Sequence, residues 1–243
     1  MSTACILVAA GSGTRLAAGS PKAFVLLGGR PLLVHAAERV LGSGACEQLV
    51  LVVPHGRQQE SIALVSGLAG AEGVALSAVV GGVDRRSSVA AGLAALDDDV
   101  DVVLVHDAAR CLTPPQQVID VAAAVRAGAP AVVPGVAVSD TVRAVDVAGV
   151  PRGGPLDRAA LRLVQTPQGF RRDVLQRAHD AAASQGLPEA LAATDDASLV
   201  EVLGTPVTVV PGRDEAFKIT RPLDLALANA VLEQERVGAG SSV

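Results

Sequence analysis

Along the chain, short unbroken apolar runs alternate with stretches whose apolar residues recur at helical spacing. The runs lie at Ala4–Ala10, Gln48–Pro54, Val74–Val80, Asp101–His106, Pro130–Pro134 and Pro206–Val210. Near-continuous apolarity is what a parallel strand needs when helices cover both of its faces. Between the runs, Pro31–Leu41 places Leu32, Leu33, Ala36 and Val40 on one helical face. Arg85–Leu96, Pro114–Ala127, Arg171–Ser184 and Asp195–Leu203 also read as helices, with a last one after Pro222. Thr113 and Gln116 have capping-box spacing, and Pro114 sits where a first-turn proline is tolerated. The rhythm predicts an α/β fold: a doubly wound, mostly parallel sheet with right-handed crossovers.

From about Val136 to Leu161 the period drops to two around Ala148–Gly149, then Pro and Gly follow. This segment reads as an extended β-hairpin arm leaving the main sheet. Its polar face excludes a place between two helical layers. A dimer contact and an edge hairpin of the same monomer both remain open.

At 243 residues, the chain is expected to be a single domain over its whole length. Half of the residues are hydrophobic and only 19% are charged, which excludes general disorder. Aromatic residues make up 1%, as three Phe with no Tyr or Trp. That composition argues against base-stacking platforms for single strands, and a net charge of -5 argues against a basic nucleic-acid surface. Cys5, Cys46 and Cys111 have no zinc or CxxC spacing and suit a reducing cytoplasm. The Ala4–Ala10 run is too short for a signal segment or a membrane span, so no membrane association is expected.

Chemistry concentrates at the ends of the predicted strands, where open α/β sheets bind ligands. Ala9-Ala10-Gly11-Ser12-Gly13-Thr14-Arg15 follows the first strand. Its glycines allow backbone N–H groups to approach phosphate oxygens. It matches neither the P-loop nor the dinucleotide fingerprint, and an ordinary strand-to-helix turn is the competing reading. Charge favours the ligand: residues 1–37 hold no Asp or Glu but carry Arg15, Lys22 and Arg30. Two cations beside such a loop can hold a triphosphate and stabilise charge developing in nucleotidyl transfer. Asp107, at the end of a strand, can hold Mg²⁺ or another divalent cation together with substrate phosphates. His106 beside it reads as a satisfied structural histidine rather than a base. Gly81-Gly82-Val83-Asp84-Arg85-Arg86-Ser87-Ser88 suits backbone recognition of a base or phosphate, or a tight turn with Ser87 or Ser88 as helix cap. No Ser–His–Asp or Cys–His nucleophile is defensible.

These motifs occur in an order that resembles a known family. AAGSGTRL followed by PKAF is similar to the signature of nucleotidyltransferases that act on sugar and polyol phosphates. GGVDRRSSV, VHDAAR, SDTV, LDR, QTPQGF, TDDASLVE and FKITRPLDLALA narrow the resemblance to the 2-C-methyl-D-erythritol 4-phosphate cytidylyltransferase family, over roughly Ile6 to Ala228. The resemblance implies a Rossmann-like nucleotidyltransferase fold. It places Ala9, Ala10, Gly11 and Ser12 near the nucleotide, with Arg15 and Lys22 as the catalytic pair on its phosphates. Gly81, Gly82, Asp84 and Ser88 would read cytosine and ribose. Asp107 would hold substrate or metal. Arg110, Thr141, Thr166 and Thr194 would bind the polyol phosphate, with Arg158 and Lys218 positioning it. In the family the arm crosses a two-fold axis, so Thr141 and Arg158 would serve the site of the other subunit of a homodimer. Two departures, Ala23 after Pro-Lys and Cys111 after the Arg of VHDAAR, touch neither a proton donor nor a metal ligand of this scheme.

The implied reaction is transfer of a cytidylyl group from CTP to the polyol phosphate, with pyrophosphate leaving. The nucleophile is an anionic phosphate, so no general base is required. A ribitol-5-phosphate cytidylyltransferase on the same scaffold and a non-catalytic nucleotide-binding domain are the alternatives. No fused second enzyme is expected, since the sequence stops just after the last helical pattern.

Overall fold

The computed structural model describes residues 1–13, 16, 20–185 and 195–240. The strands are β1 (Ser2–Val8), β2 (Leu26–Leu27), β3 (Arg30–Pro31), β4 (Gln48–Val53), β5 (Ala75–Val80), β6 (Val100–Asp107), β7 (Ala131–Ala137), β8 (Arg162–Val164), β9 (Gln168–Arg171) and β10 (Thr208–Pro211). The helices are α1 (Leu32–Leu41), α2 (Gln58–Val65), α3 (Arg85–Leu93), α4 (Pro115–Arg126), α5 (Arg172–Gln185), α6 (Asp196–Val202) and α7 (Pro222–Gly240).

Among the described residues, the main sheet runs β10-β7-β9-β6-β1-β4-β5, with β8 also on β7. The pairs β1–β4, β1–β6, β4–β5 and β7–β10 are parallel, and β8 and β9 run antiparallel to their neighbours. Side chains alternate between the two faces, so successive residues of one strand enter different cores. Cys5 and Leu7 pack with Leu32 of α1, Val118 of α4 and Leu232 of α7. Ala4 and Ile6 pack with Val89 of α3, Leu175 of α5 and Leu199 of α6. Two apolar layers on one sheet make the fold doubly wound, as the continuous runs predict. Gly92 sets the distance of α3 from the sheet: a Cβ there would stand 2.5 Å from Ile6 Cγ2.

The structure departs from the sequence reading in four places. The Thr113–Gln116 capping box does not form: Pro114 is the N-cap of α4 with no side-chain bond, and Pro115 takes the first turn. Thr113 is buried and donates its hydroxyl to Arg110 O at 2.8 Å, closing the preceding turn instead. The short strand β9 enters between β6 and β7, where the sequence shows only Gln-Gly-Phe-Arg. Gly169 is required there because a Cβ would approach Val121 Cγ1 of α4 to 2.6 Å. Helix α2 escaped the pattern because it buries only Ser61 and Val65. The arm is a hairpin, but a loose one. Its hydrogen bonds link Leu156 N to Val142 O, Arg152 N to Ala144 O and Asp146 N to Val150 O, around a single bridge between Val145 and Pro151. The start of the predicted arm, Val136 and Ala137, belongs to β7 in the sheet.

Candidate active site

The ends of β1, β5 and β6 open on a cleft of about 450 Å³, walled by the loop after β1 on one side and residues 82–85 on the other. The loop after β1 stays close to the sheet, with Ala9 N bonding Val52 O at 2.7 Å. At Gly13 the chain takes φ +70°, and a Cβ would stand 2.7 Å from Lys22 Cβ. The glycine therefore lets the turn Lys22–Phe24 fold back on the loop, where Lys22 N donates to Gly11 O at 3.1 Å. Lys22 thereby lines the cleft together with Ala9, Ala10, Gly11 and Ser12.

The opposite wall begins with two glycines that differ in what surrounds them. Gly81 does not line the cleft. A Cβ there would collide with Ala10 Cβ at 2.3 Å, so this glycine lets the two walls meet at their base. Gly82 does line it, and donates N–H to Ser88 Oγ at 3.1 Å. Ser88 in turn donates to Asp84 O at 2.8 Å, so its hydroxyl shapes the loop. The cap of α3 is Asp84, not either serine. Its carboxylate accepts from Ser87 N at 2.7 Å, and Ser87 Oγ accepts from Asp84 N at 3.1 Å. Hydrogen bonds to the carboxylate from the Ser87 hydroxyl and then the Ser87 N–H hold the Asp84 carboxyl below its usual range.

Asp107 closes the floor. Its Oδ2 accepts from Lys218 Nζ at 2.7 Å and its Oδ1 from Arg85 Nε at 3.2 Å. Burial pushes this carboxyl up, but Arg85 and Lys218 outweigh burial and hold it well below the carboxylate range. Lys218 arrives on a segment docked along the end of β6: Ile219 N bonds Ala109 O at 2.9 Å, and Arg110 Nη1 donates to Ala216 O at 2.8 Å. A smaller cavity of about 260 Å³ lies on the far side of Asp107 and is lined by Arg110, Thr166 and Gln168. Arg85, Asp107 and Lys218 form walls of both cavities.

His106 is fully buried. Its Nδ1 lies 2.9 Å from Thr166 Oγ1, which also accepts from Asp107 N at 3.1 Å. The other ring nitrogen, Nε2, is buried without a partner, and burial pushes the imidazole down to about 4. The imidazole is neutral and enclosed, but only one of its two nitrogens is bonded, so it is not the fully satisfied histidine expected from the sequence. Thr166 spends its hydroxyl on the strand end as well as lining the smaller cavity.

Thr141 and Arg158 lie on the exposed arm and line neither cavity; Arg158 Nη1 donates to Ser139 O of the same arm at 2.5 Å. Arg15 and Thr194 lie outside the described residues. Three further residues went without a role at the level of sequence. Arg85 bridges Asp107 and Asp196, with Nη1 2.6 Å from Asp196 Oδ2, and Asp196 Oδ1 lies 3.0 Å from His179 Nε2. Arg85 stands inside a motif the sequence does mark, but its partners are 22 and 111 residues away.

The geometry has relatives. Residues 3–234 match the IspD family model, 2-C-methyl-D-erythritol 4-phosphate cytidylyltransferase. A protein of that name from Streptomyces avermitilis is 48% identical, covering 98% of this chain and 94% of its own. Another from Frankia casuarinae is 51% identical, over 94% of this chain and 80% of its own. The crystal structure of the Thermus thermophilus enzyme of the same name has a TM-score of 0.73 at 35% identity, over 95% of this chain and 98% of that one. The 4-diphosphocytidyl-2C-methyl-D-erythritol synthase structure from Anaerococcus prevotii reaches a TM-score of 0.81 at 26% identity, over 96% and 98% of the two chains. The chain belongs to the 2-C-methyl-D-erythritol 4-phosphate cytidylyltransferase family.

Proposed function

We infer that the two cavities hold CTP and 2-C-methyl-D-erythritol 4-phosphate, and that the protein joins them into 4-diphosphocytidyl-2-C-methyl-D-erythritol. The observation that carries this reading is the shared wall of Arg85, Asp107 and Lys218 between the two cavities. Two anionic substrates must be brought together there, and cations line their meeting point.

In this mechanism an oxygen of the polyol phosphate attacks the α-phosphorus of CTP in line. The bond from that phosphorus to the β-phosphate bridging oxygen breaks, and pyrophosphate leaves with the electron pair. No proton has to move. That agrees with His106, which burial holds neutral and which lines neither cavity. Lys22, with Arg15, stabilises the charge that builds on the α-phosphate. Ala9–Ser12 and Gly82 supply backbone groups to the nucleotide, and Asp84 and Ser88 fix the loop that faces it. Arg110, Thr166 and Lys218 receive the second substrate, with Thr194 as a further expected contact. Positioning and charge neutralisation carry the rate.

The residues fit Mg²⁺. Asp107 offers one carboxylate facing both cavities, and Mg²⁺ is typically held by one or two carboxylates plus substrate phosphates. Arg85 and Lys218 each occupy one lone-pair site, on different oxygens, and an ionised carboxylate has about four. When bound, the ion draws charge off the triphosphate; Asp107 would hold it.

A homodimer completes this reading. Thr141 and Arg158 stand away from both cavities of their own chain, on an arm that exposes Val145, Val147, Val150 and Leu156. An apolar, exposed arm is suited to cross a two-fold axis and deliver those residues to the partner's site. Among the described residues no helix is long and apolar enough to cross a membrane. The three cysteines are free and buried, which suits a cytoplasmic location.

Pyrophosphate release measured with the methylerythritol and ribitol phosphates side by side tests the substrate. Faster turnover of the methylerythritol phosphate supports the assignment, and preference for ribitol 5-phosphate overturns it.

A further inference from the structure

Behind the wall shared by the two cavities, a polar chain runs into the protein through four elements. It begins at Lys218 and Asp107, passes through Arg85 at the start of α3 and Asp196 at the start of α6, and ends at His179 on α5. Asp196 and His179 are almost wholly buried and line neither cavity. A buried carboxylate is retained only if it is paired and hydrogen-bonded. Asp196 meets that need with Arg85 Nη1 on Oδ2 and His179 Nε2 on Oδ1. Because the carboxylate only accepts, His179 Nε2 is the donor of that bond.

The guanidinium geometry shows what this anchor does. Arginine pairs most strongly with a carboxylate through two parallel N–H bonds. Arg85 does not do so with Asp107: only Nε bonds it, while Nη2 is buried without a partner. A turn of the guanidinium that gave Nε and Nη2 together to Asp107 would satisfy Nη2 and engage both carboxylate oxygens. Lys218 would then have to share Oδ2 or leave it. The Nη1 bond to Asp196 opposes that turn.

We propose that Asp196, braced by His179, is a positioning residue for cytidylyl transfer: by holding Arg85 Nη1 it restricts Arg85 to one bond with Asp107 and keeps Asp107 Oδ2 for Lys218. The inference rests on the reading of the shared wall as the meeting point of the substrates. It adds a function for two residues that no substrate reaches. Loss of the anchor lets Arg85 collapse onto Asp107, and the cations at the wall move from the places the transfer needs. Misplacement of this kind affects turnover more than ground-state binding.

The test compares steady-state kinetics of the full-length protein, corrected for folded fraction, in His179→Leu, His179→Gln and Asp196→Asn, each alone and the last also in an Arg85→Gln background. His179→Gln retains a donor at the position of Nε2. The expected result is a fall in kcat of about tenfold or more for His179→Leu and Asp196→Asn, with KM for CTP within about threefold. His179→Gln recovers most of the loss, and Asp196→Asn adds nothing once Arg85 is gone. Unchanged kcat per folded protein overturns the proposal. So does a Gln variant as impaired as the Leu variant, or a full Asp196→Asn effect without Arg85. Absence of turnover in the unaltered protein would instead overturn the underlying reading of the site.

Discussion

Lys218 Nζ lies 2.7 Å from Asp107 Oδ2, joining the end of β6 to a segment 111 residues later. This contact, with Arg85 on the other carboxylate oxygen, balances charge at the boundary of the two cavities. Replacing Asp107 by Asn removes the carboxylate that Lys218 and Arg85 share, leaves Arg85 only Asp196 as counter-charge, and removes the group assigned to Mg²⁺. Turnover per folded protein is expected to fall by about 100-fold or more, the scale of losing one strong electrostatic contact in a site. Lys218→Met is expected to lower kcat/KM with little loss of stability, because its side chain is 40% exposed. Steady-state kinetics alongside urea titrations check both.

The buried imidazole gives a pH prediction. Burial lowers His106 from 6.5 to about 4, so the unfolded chain binds its proton more readily than the folded one. Its contribution to stability is complete above about pH 6.5 and is lost as pH falls towards 4. The decline in unfolding free energy across that window is expected to be shallower in His106→Gln, measured by urea unfolding at a series of pH values. His35, also lowered by burial, is present in both proteins and leaves the difference intact. Asp107 and Asp196, both held low, contribute stability that is present above their unfolded values and is lost at still lower pH.

Gly81→Ala tests the close approach of the two cleft walls. The added Cβ would lie 2.3 Å from Ala10 Cβ and 3.0 Å from Ser88 Oγ, so the loops must separate. Overpacking of this kind costs about 1–3 kcal/mol. The expected result is that loss of stability with a raised KM for CTP, read by urea unfolding and initial rates.

The arm yields a complementation prediction. If Arg158 serves the partner's site, a dimer formed from Lys22→Ala and Arg158→Ala chains contains one site with both defects and one intact site. Random pairing of equal amounts should restore roughly a quarter of wild-type activity from two poorly active parents. The check is a mixing experiment with subunit exchange, followed by rate measurement; no gain over the parents contradicts the shared site.

Much of the sheet was legible because its strands are buried on both faces and therefore read as continuous apolar runs. Gln168–Arg171 carried no such mark, since β9 packs through a glycine under α4 and its strand character comes from its neighbours. The site loops were legible from glycine and charge, but the reasons for individual residues were not. Gly13 and Gly81 make room for Lys22 and Ala10, contacts that depend on how the walls fold together. Ser87 and Ser88 were candidate caps by type, yet Asp84 one turn earlier caps α3 because its carboxylate accepts the Ser87 N–H. The Arg85–Asp196–His179 chain was hidden because Asp196 follows another aspartate, the true cap of α6, and nothing local distinguishes the cap from the buried anchor.

The central claim is that this site transfers the α-phosphate of CTP, with its cytidine, to the phosphate of the methylerythritol substrate. A single-turnover reaction with CTP labelled at the α-phosphate, Mg²⁺ and 2-C-methyl-D-erythritol 4-phosphate follows that atom directly. The account predicts label in 4-diphosphocytidyl-2-C-methyl-D-erythritol and unlabelled pyrophosphate in equal amount, with Lys22→Ala slower by about 100-fold or more. Bound CTP that stays intact, or a Lys22→Ala protein that turns over at the normal rate, would contradict it.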